Sequence, residues 1–205
     1  MRVPRKDGGE AHARGWRLSR HGFPLLLSIG VIDSATRMAF LTFLPFVLTA
    51  KGASLPTIGI ALTLVFAGGA AGKLVCAYIG ARLGTVATVW LTETATAVLI
   101  LALLPLPLEA SLVLLPLVGI ALNGTSSVLY GSVPDLVAPA RRTRAFGIFY
   151  TGTIGAGAVS PAIYGLLGDA VGVTHALIVV ASVVLLTLPI TLALRPALKA
   201  TAPSF

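Results

Sequence analysis

Asp33 and Arg37 stand four residues apart inside an apolar run, so one face of a helix would carry both. A carboxylate there can exchange a proton, and a guanidinium can hold an anionic or polar group of a bound molecule. An internal ion pair that only eases insertion is the alternative reading. A mid-membrane arginine costs about 3 kcal/mol or more, and leucines in place of the pair would avoid that cost, which favours a functional role. Lys73 lies in a second apolar run, about 10 Å from its end at 1.5 Å per residue, so it either reaches a cavity or snorkels to the surface. Glu93, in a third run, reads more readily as a buried hydrogen-bonded acid or a helix contact than as a proton carrier. Asn123 sits within Gly119-Ile-Ala-Leu-Asn-Gly-Thr-Ser-Ser127, where its amide suits either a cross-helix hydrogen bond or a ligand. Tyr130 and Tyr150 would line the same cavity or join an interfacial belt. Pro45, Pro116 and Pro161 are candidate kinks.

The elements that must position these groups follow from composition. Of the 205 residues, 56% are apolar and only 11% charged, with a mean hydropathy of +0.95. A soluble domain carries about 25% charged residues, so an ordinary soluble enzyme is excluded and most of the chain must be solvated by lipid. Six apolar stretches reach the roughly 20 residues a membrane helix needs: Phe23 to Ala50, Thr57 to Gly80, Val86 to Leu106, Ala110 to Val133, Phe146 to Gly168 and Val173 to Leu194. Barrel strands would alternate apolar and polar residues, whereas these runs are continuous and rich in Leu and Ala. The fold class expected is all-α, a polytopic bundle of six transmembrane helices. Residues 1–22 would form a basic tail, 23–194 the bundle and 195–205 a second tail. The single cysteine, Cys76, falls inside a run as a small buried thiol, which leaves no disulfide framework and no cysteine metal site.

The net charge of +8 would suit nucleic acid, but most of the basic residues sit in the tail and in gaps between runs, where they read as topology signals. With the tail in the cytoplasm, that side carries six basic residues of the tail, Arg82, Arg141, Arg142, Arg144, Arg195 and Lys199. The outer side carries only Lys51. Both termini are thus expected to be cytoplasmic in a multi-pass protein of the cell membrane. The second and fifth runs also share glycines eight apart, Gly72 with Gly80 and Gly157 with Gly165. An inverted repeat of three plus three spans would produce that spacing in oppositely directed helices.

With six spans and this orientation, Gly80-Ala-Arg82-Leu-Gly84 resembles a worn copy of the cytoplasmic loop motif of the major facilitator superfamily. It keeps the arginine and final glycine but has Ala81 for the usual aspartate and Thr85 for the usual basic residue. Gly157-Ala-Val-Ser-Pro161-Ala-Ile-Tyr-Gly165 is similar to the glycine-proline motif of exporter-type members, where it belongs to the other half of the molecule. The chain as a whole resembles the C-terminal half of such a transporter, its basic tail standing for the loop between halves. That resemblance implies secondary active transport of a small organic solute by alternating access, proton-coupled and directed to efflux. It implies a cavity touched by Asp33, Arg37, Lys73, Asn123 and Tyr150, and gating or loop roles for Arg82, Gly84 and Pro161. It implies no cofactor, and as partners the lipid bilayer, a small-molecule substrate and protons. A second six-helix bundle is also implied, whether a missing N-terminal half, a separate chain or a second copy.

Two other classes compete. An intramembrane serine protease could draw on Ser126 or Ser127 with His175, yet Ser126 lies roughly 24 Å down its span from the surface where His175 begins another. No phosphate-binding loop or paired metal motif is present. A membrane scaffold has no need of Arg37 at mid-membrane. Transport, not catalysis, is the expectation.

Overall fold

The computed structural model describes residues 7–201, with side chains from 21 to 199. Among these residues all regular structure is helical: α1 (Asp7–Ala50), α2 (Leu55–Leu103), α3 (Leu108–Leu136), a 3-10 turn at Pro139–Arg141, α4 (Arg142–Val171), α5 (Val173–Val184) and α6 (Thr187–Thr201). Five stretches are long and apolar enough to cross a membrane, namely His21–Ala50, Leu55–Leu103, Leu108–Leu136, Pro139–Val171 and Val173–Lys199. Residues 1–6 and 202–205 of the expected tails lie outside the described residues. Where a tail was expected from residue 195, α6 continues to Thr201.

The 49 residues of α2 would span about 74 Å as one rod, more than twice the hydrocarbon thickness of about 30 Å. They are not one rod. Gly84 has φ 79 and ψ 167, a conformation that a residue with a Cβ strongly disfavours, and it divides α2 into limbs at 55–83 and 85–103. Both limbs pack along α3. In the first, Gly68 meets Pro116, Gly72 meets Ile120 and Cys76 meets Gly124, so the two helices advance together. In the second, Thr85 Oγ1 lies 2.8 Å from Ser132 Oγ and Thr125 Oγ1 donates to Thr92 Oγ1 at 2.7 Å, so they advance in opposite directions. The chain therefore reverses at Gly84. The gap expected between the second and third apolar runs shrinks to this one residue.

Ser54 caps α2 by accepting from the Thr57 amide, and Gly172 at φ 87 separates α4 from α5. Between α5 and α6 the helix slips to i→i+3 bonds, Leu186 N to Val183 O and Leu188 N to Leu185 O. Pro189 has no amide proton to give the Leu185 carbonyl, which explains the slip. The helices run on through Pro45, Pro116 and Pro161. At Pro161 the carbonyl left without its usual donor is that of Gly157, and Ser160 Oγ donates to it at 3.1 Å.

At one end of the bundle Lys51 Nζ donates to Leu103 O, Leu106 O and Ser111 Oγ, tying the α1–α2 turn to the end of α2 and the start of α3. Burial lowers its pKa from the usual 10.5, while a cation at a helix C-terminus is favoured by the exposed carbonyls. The apolar core falls into two clusters. One, toward the Lys51 end, includes Phe40, Leu44, Val65, Ile100, Leu115 and Leu177. The other, toward the Gly84 end, includes Leu26, Ile29, Val89, Leu129, Phe149 and Leu194. Between them lies a layer of buried polar side chains: Asp33, Ser34 and Thr36 on α1, Thr92, Glu93 and Thr96 on α2, Thr125 on α3, Thr153 and Ser160 on α4, and Thr187 and Thr191 on α6. Outside, Phe46, Ile60, Phe66, Leu74 and Val113 are exposed, as a lipid-facing surface requires.

Candidate functional site

A cavity of about 270 Å³ opens into this polar layer. Its charged walls are Asp33 and Arg37 from α1 and Lys73 from the first limb of α2; Ser126 and Tyr130 of α3 and Phe149, Tyr150 and Thr153 of α4 complete it. The four-residue spacing does put Asp33 and Arg37 on one face, but the hydrogen bond of Arg37 goes elsewhere. Arg37 Nη2 donates to Ser34 Oγ at 3.2 Å, and its charge acts on Asp33 through space. Glu93 on the second limb of α2 is close enough to Asp33 for the two carboxyls to act on each other electrostatically. On the α3–α4 side, Thr153 Oγ1 donates to Tyr150 O at 3.0 Å, which leaves the Tyr130 hydroxyl, 3.2 Å away, to donate to Thr153. Phe149 meets the Tyr130 ring edge-on, with centroids 5.0 Å apart, and so fixes the phenol.

The interior and the open side of this cavity differ in chemistry. Asp33 is 4% exposed and Glu93 1%, whereas Lys73 and Tyr150 are exposed. An anionic group entering from the open side would meet Lys73 first and Arg37 behind it, with hydroxyls of Tyr130 and Ser126 to either side. A second cavity, of about 840 Å³, lies at the Gly84 end between Leu83, Trp90, Asp135, Leu192, Arg195 and Lys199. It is the larger, but its charged groups are exposed surface residues. The smaller cavity sets a buried carboxylate, Asp33, beside two cations inside membrane-spanning helices, and it is the candidate site.

Of the residues expected at the site, Asp33, Arg37, Lys73 and Tyr150 share this cavity. Asn123 lies in the contact between α2 and α3: its Nδ2 donates to Gly119 O at 3.2 Å, and a Cβ at Gly69 would come within 2.5 Å of it. Cys76 is buried in the same contact against Gly124. Arg82 is exposed with its guanidinium 4.8 Å from the Tyr78 ring, Gly84 makes the reversal, and Pro161 is half-buried in α4. Ser126 Oγ donates to Asn123 O at 2.9 Å, while His175 sits at the far end of the bundle with Nδ1 on Val171 O, so that serine and histidine are not brought together.

The approach of Glu93 to Asp33 went unread in the sequence. The signal for it is the spacing of Thr85, Thr88, Thr92 and Thr96, a polar stripe on a membrane-depth helix that must turn inward and takes Glu93 with it.

No curated protein sequence matches the chain. The family profile of the Major Facilitator Superfamily matches residues 26–205, which takes in α1 from residue 26, all of α2 to α6 and the whole of the cavity. A multi-pass bundle with buried charges around a mid-depth cavity is what a membrane transporter requires, and the chain belongs to the Major Facilitator Superfamily.

Proposed function

We propose that the chain moves a small organic solute across the membrane through the cavity between Asp33, Arg37, Lys73, Tyr130 and Tyr150, by alternating access driven by protons. The observation that carries this reading is the placement of those charges in a polar layer between two apolar clusters, where lipid-exposed groups would have no reason to be. Arg37 and Lys73 hold an anionic or polar group of the solute, the two tyrosines bound it with hydroxyls and ring faces, and Asp33 exchanges the proton. The reversal at Gly84 supports six passes rather than five, with both ends of the chain on the cytoplasmic side by the distribution of Arg and Lys.

One bundle supplies one wall of such a site. In α4 only 11% of the most apolar window is buried, against 50% in α1 and α3. That uncovered flank, with Tyr150, Ile154 and Val159 exposed beside the cavity, supports a second six-helix bundle closing the other side. Rocking of the two bundles would then expose the cavity to each membrane face in turn. The glycine-proline sequence around Pro161 supports export in exchange for protons.

The test uses everted vesicles from cells expressing the chain, energised to an inside-acid gradient and reporting internal pH through a dye. A panel of small carboxylates, phosphates and zwitterions is added one by one. At least one should release protons from the vesicles, and Asp33→Asn and Arg37→Gln should each abolish that release. Release that persists in both variants removes the site from the mechanism.

A further inference from the structure

We infer that the larger cavity, at the Gly84 end of the bundle, holds one anionic glycerophospholipid, its phosphate between Arg195 and Lys199 and its acyl chains running inward past Trp90 and Leu192. The cavity, of about 840 Å³, is walled by the start of the second limb of α2, the end of α3 and the end of α6. Sites for small molecules span roughly 300–1,000 Å³, so a headgroup with the first part of its chains is a fitting occupant. The two long walls change character over the same depth. On α6, Arg195 and Lys199 are four apart and share a face, which Leu192 continues inward to about 10 Å from Lys199 at 1.5 Å per residue. On α2, Gly84 and Thr85 stand at the outer end and Trp90 about 9 Å further in. A polar mouth above an apolar floor matches a phospholipid, whose phosphate sits on apolar chains. A soluble anion would have no use for the floor.

The charges select the kind of lipid. Among the described residues, the charged groups that line the cavity are Asp135, Arg195 and Lys199, a net charge of one cation that one phosphodiester neutralises. Two like charges four apart repel each other on a helix, and an anion between them removes that repulsion. Cations at an interface also snorkel, and the end of a helix favours them, but neither effect calls for a cavity beside them with an indole in its wall. Trp90 is 39% exposed and Leu192 47%, so this wall faces lipid, and an indole suits the headgroup level. Asp135, exposed at the mouth, can accept from a headgroup hydroxyl, which favours a glycerol headgroup over a choline with no hydrogen to give. Among the described residues α4 contributes none to the lining, so the lipid leaves free the flank proposed for a second bundle.

Native mass spectrometry of the delipidated full chain in detergent tests this, with dioleoyl phosphatidylglycerol and dioleoyl phosphatidylcholine added in equal amounts. One phosphatidylglycerol should be retained in preference to phosphatidylcholine by about tenfold or more, since each cation near an anionic lipid contributes about fivefold. Arg195→Gln with Lys199→Gln should erase the preference. Arg141→Gln with Arg144→Gln, which removes two exposed cations of the same end outside the cavity, should keep it. Equal losses in the two double variants would reduce the effect to surface charge and overturn the site. Displacement of the lipid by millimolar glycerol 3-phosphate, which carries the phosphate without the chains, would overturn it as well. If the Arg195 and Lys199 variant fails to fold, the wild type decides: phosphatidylglycerol with a diazirine on its acyl chain should label the peptides around Trp90 and Leu192. Label found elsewhere, or spread evenly over the lipid-facing helices, overturns the proposal.

Discussion

The contact between the first limb of α2 and α3 and the contact between α1 and α4 are both glycine-lined and both join helices that advance together, yet they are built differently. In the first, a Cβ placed on Gly68 or Gly119 would collide with the carbonyl of Pro116 or of Val65, and one on Gly72 would come within 2.5 Å of Ile120 O. Backbone lies on backbone there. In the second, a Cβ on Gly30 would meet Phe149 Cζ at 2.7 Å, one on Gly152 would meet Leu27 Cδ1 at 2.9 Å, and one on Gly168 would meet Phe43 Cε1 at 2.8 Å. Those are ends of side chains. The α2–α3 contact can only stay closed or come apart, because helix association in lipid depends on close packing and carbonyls do not change rotamer. The α1–α4 contact can adjust by turning side chains, and it borders the cavity through Gly30, Phe149 and Thr153, while the rigid pair borders it through Lys73 and Ser126. The site thus has one rigid wall and one compliant wall.

The comparison breaks most directly at Gly68. Gly68→Ala should separate α2 from α3 and cost about 3 kcal/mol or more, at the upper end of overpacking effects, despite the better helix propensity of alanine. Thermal unfolding in detergent measures it, and a variant as stable as the wild type would mean that the α2–α3 contact yields after all.

How much of this was legible beforehand can be argued residue by residue. The apolar runs gave the helices, since hydropathy and length are local properties, and Asp33 with Arg37 could be placed on one face from spacing alone. Their partners could not. Whether Arg37 turns to Asp33 or to Ser34 depends on which helix brings a competing group, and Glu93 comes from 60 positions along the chain. Asn123 shows the same limit: an amide at mid-helix looks alike in sequence whether it faces a cavity or Gly69. The turn after Arg82 was expected to be a loop, and one glycine with positive φ suffices because the two limbs are held by α3 rather than by each other.

A smaller effect sharpens the contrast at the end of the rigid contact. Lys51 closes the turn beside Ser111 at the start of α3, and Lys51→Met removes the donor from Leu103 O, Leu106 O and Ser111 Oγ together. Water can reach this end of the bundle and replace part of what is lost, so a cost of about 2 kcal/mol is expected rather than the sum of three buried bonds. Unfolding of Lys51→Met alongside Lys51→Arg measures it; the arginine variant keeps a cation at the carbonyls and should recover about half. Equal losses in both would mean that the clamp acts by shape and not by donation.

The smallest effect on stability is expected in the compliant contact, and there it should be visible in function instead. Gly157→Ala places a methyl 2.9 Å from Ser34 Oγ and 3.1 Å from Met38 Cγ, contacts that rotation of a hydroxyl and of a thioether chain relieves. Alanine also gains about 1 kcal/mol of helix propensity, so the net change in stability should stay within about 1 kcal/mol of zero. The hydroxyl that must turn is the one that accepts from Arg37. A guanidinium released from Ser34 is free to swing toward Asp33, which would strengthen their attraction and withdraw the cation from an incoming anionic group. In the vesicle assay Gly157→Ala should therefore demand several-fold more solute for half-maximal proton release, at unchanged protein level and melting temperature. Gly152→Ala, whose methyl meets only Leu27, should leave both quantities where they are. If the two alanines behave alike, the α1–α4 contact is uniform packing, and the link from Gly157 through Ser34 to Arg37 carries no information to the site.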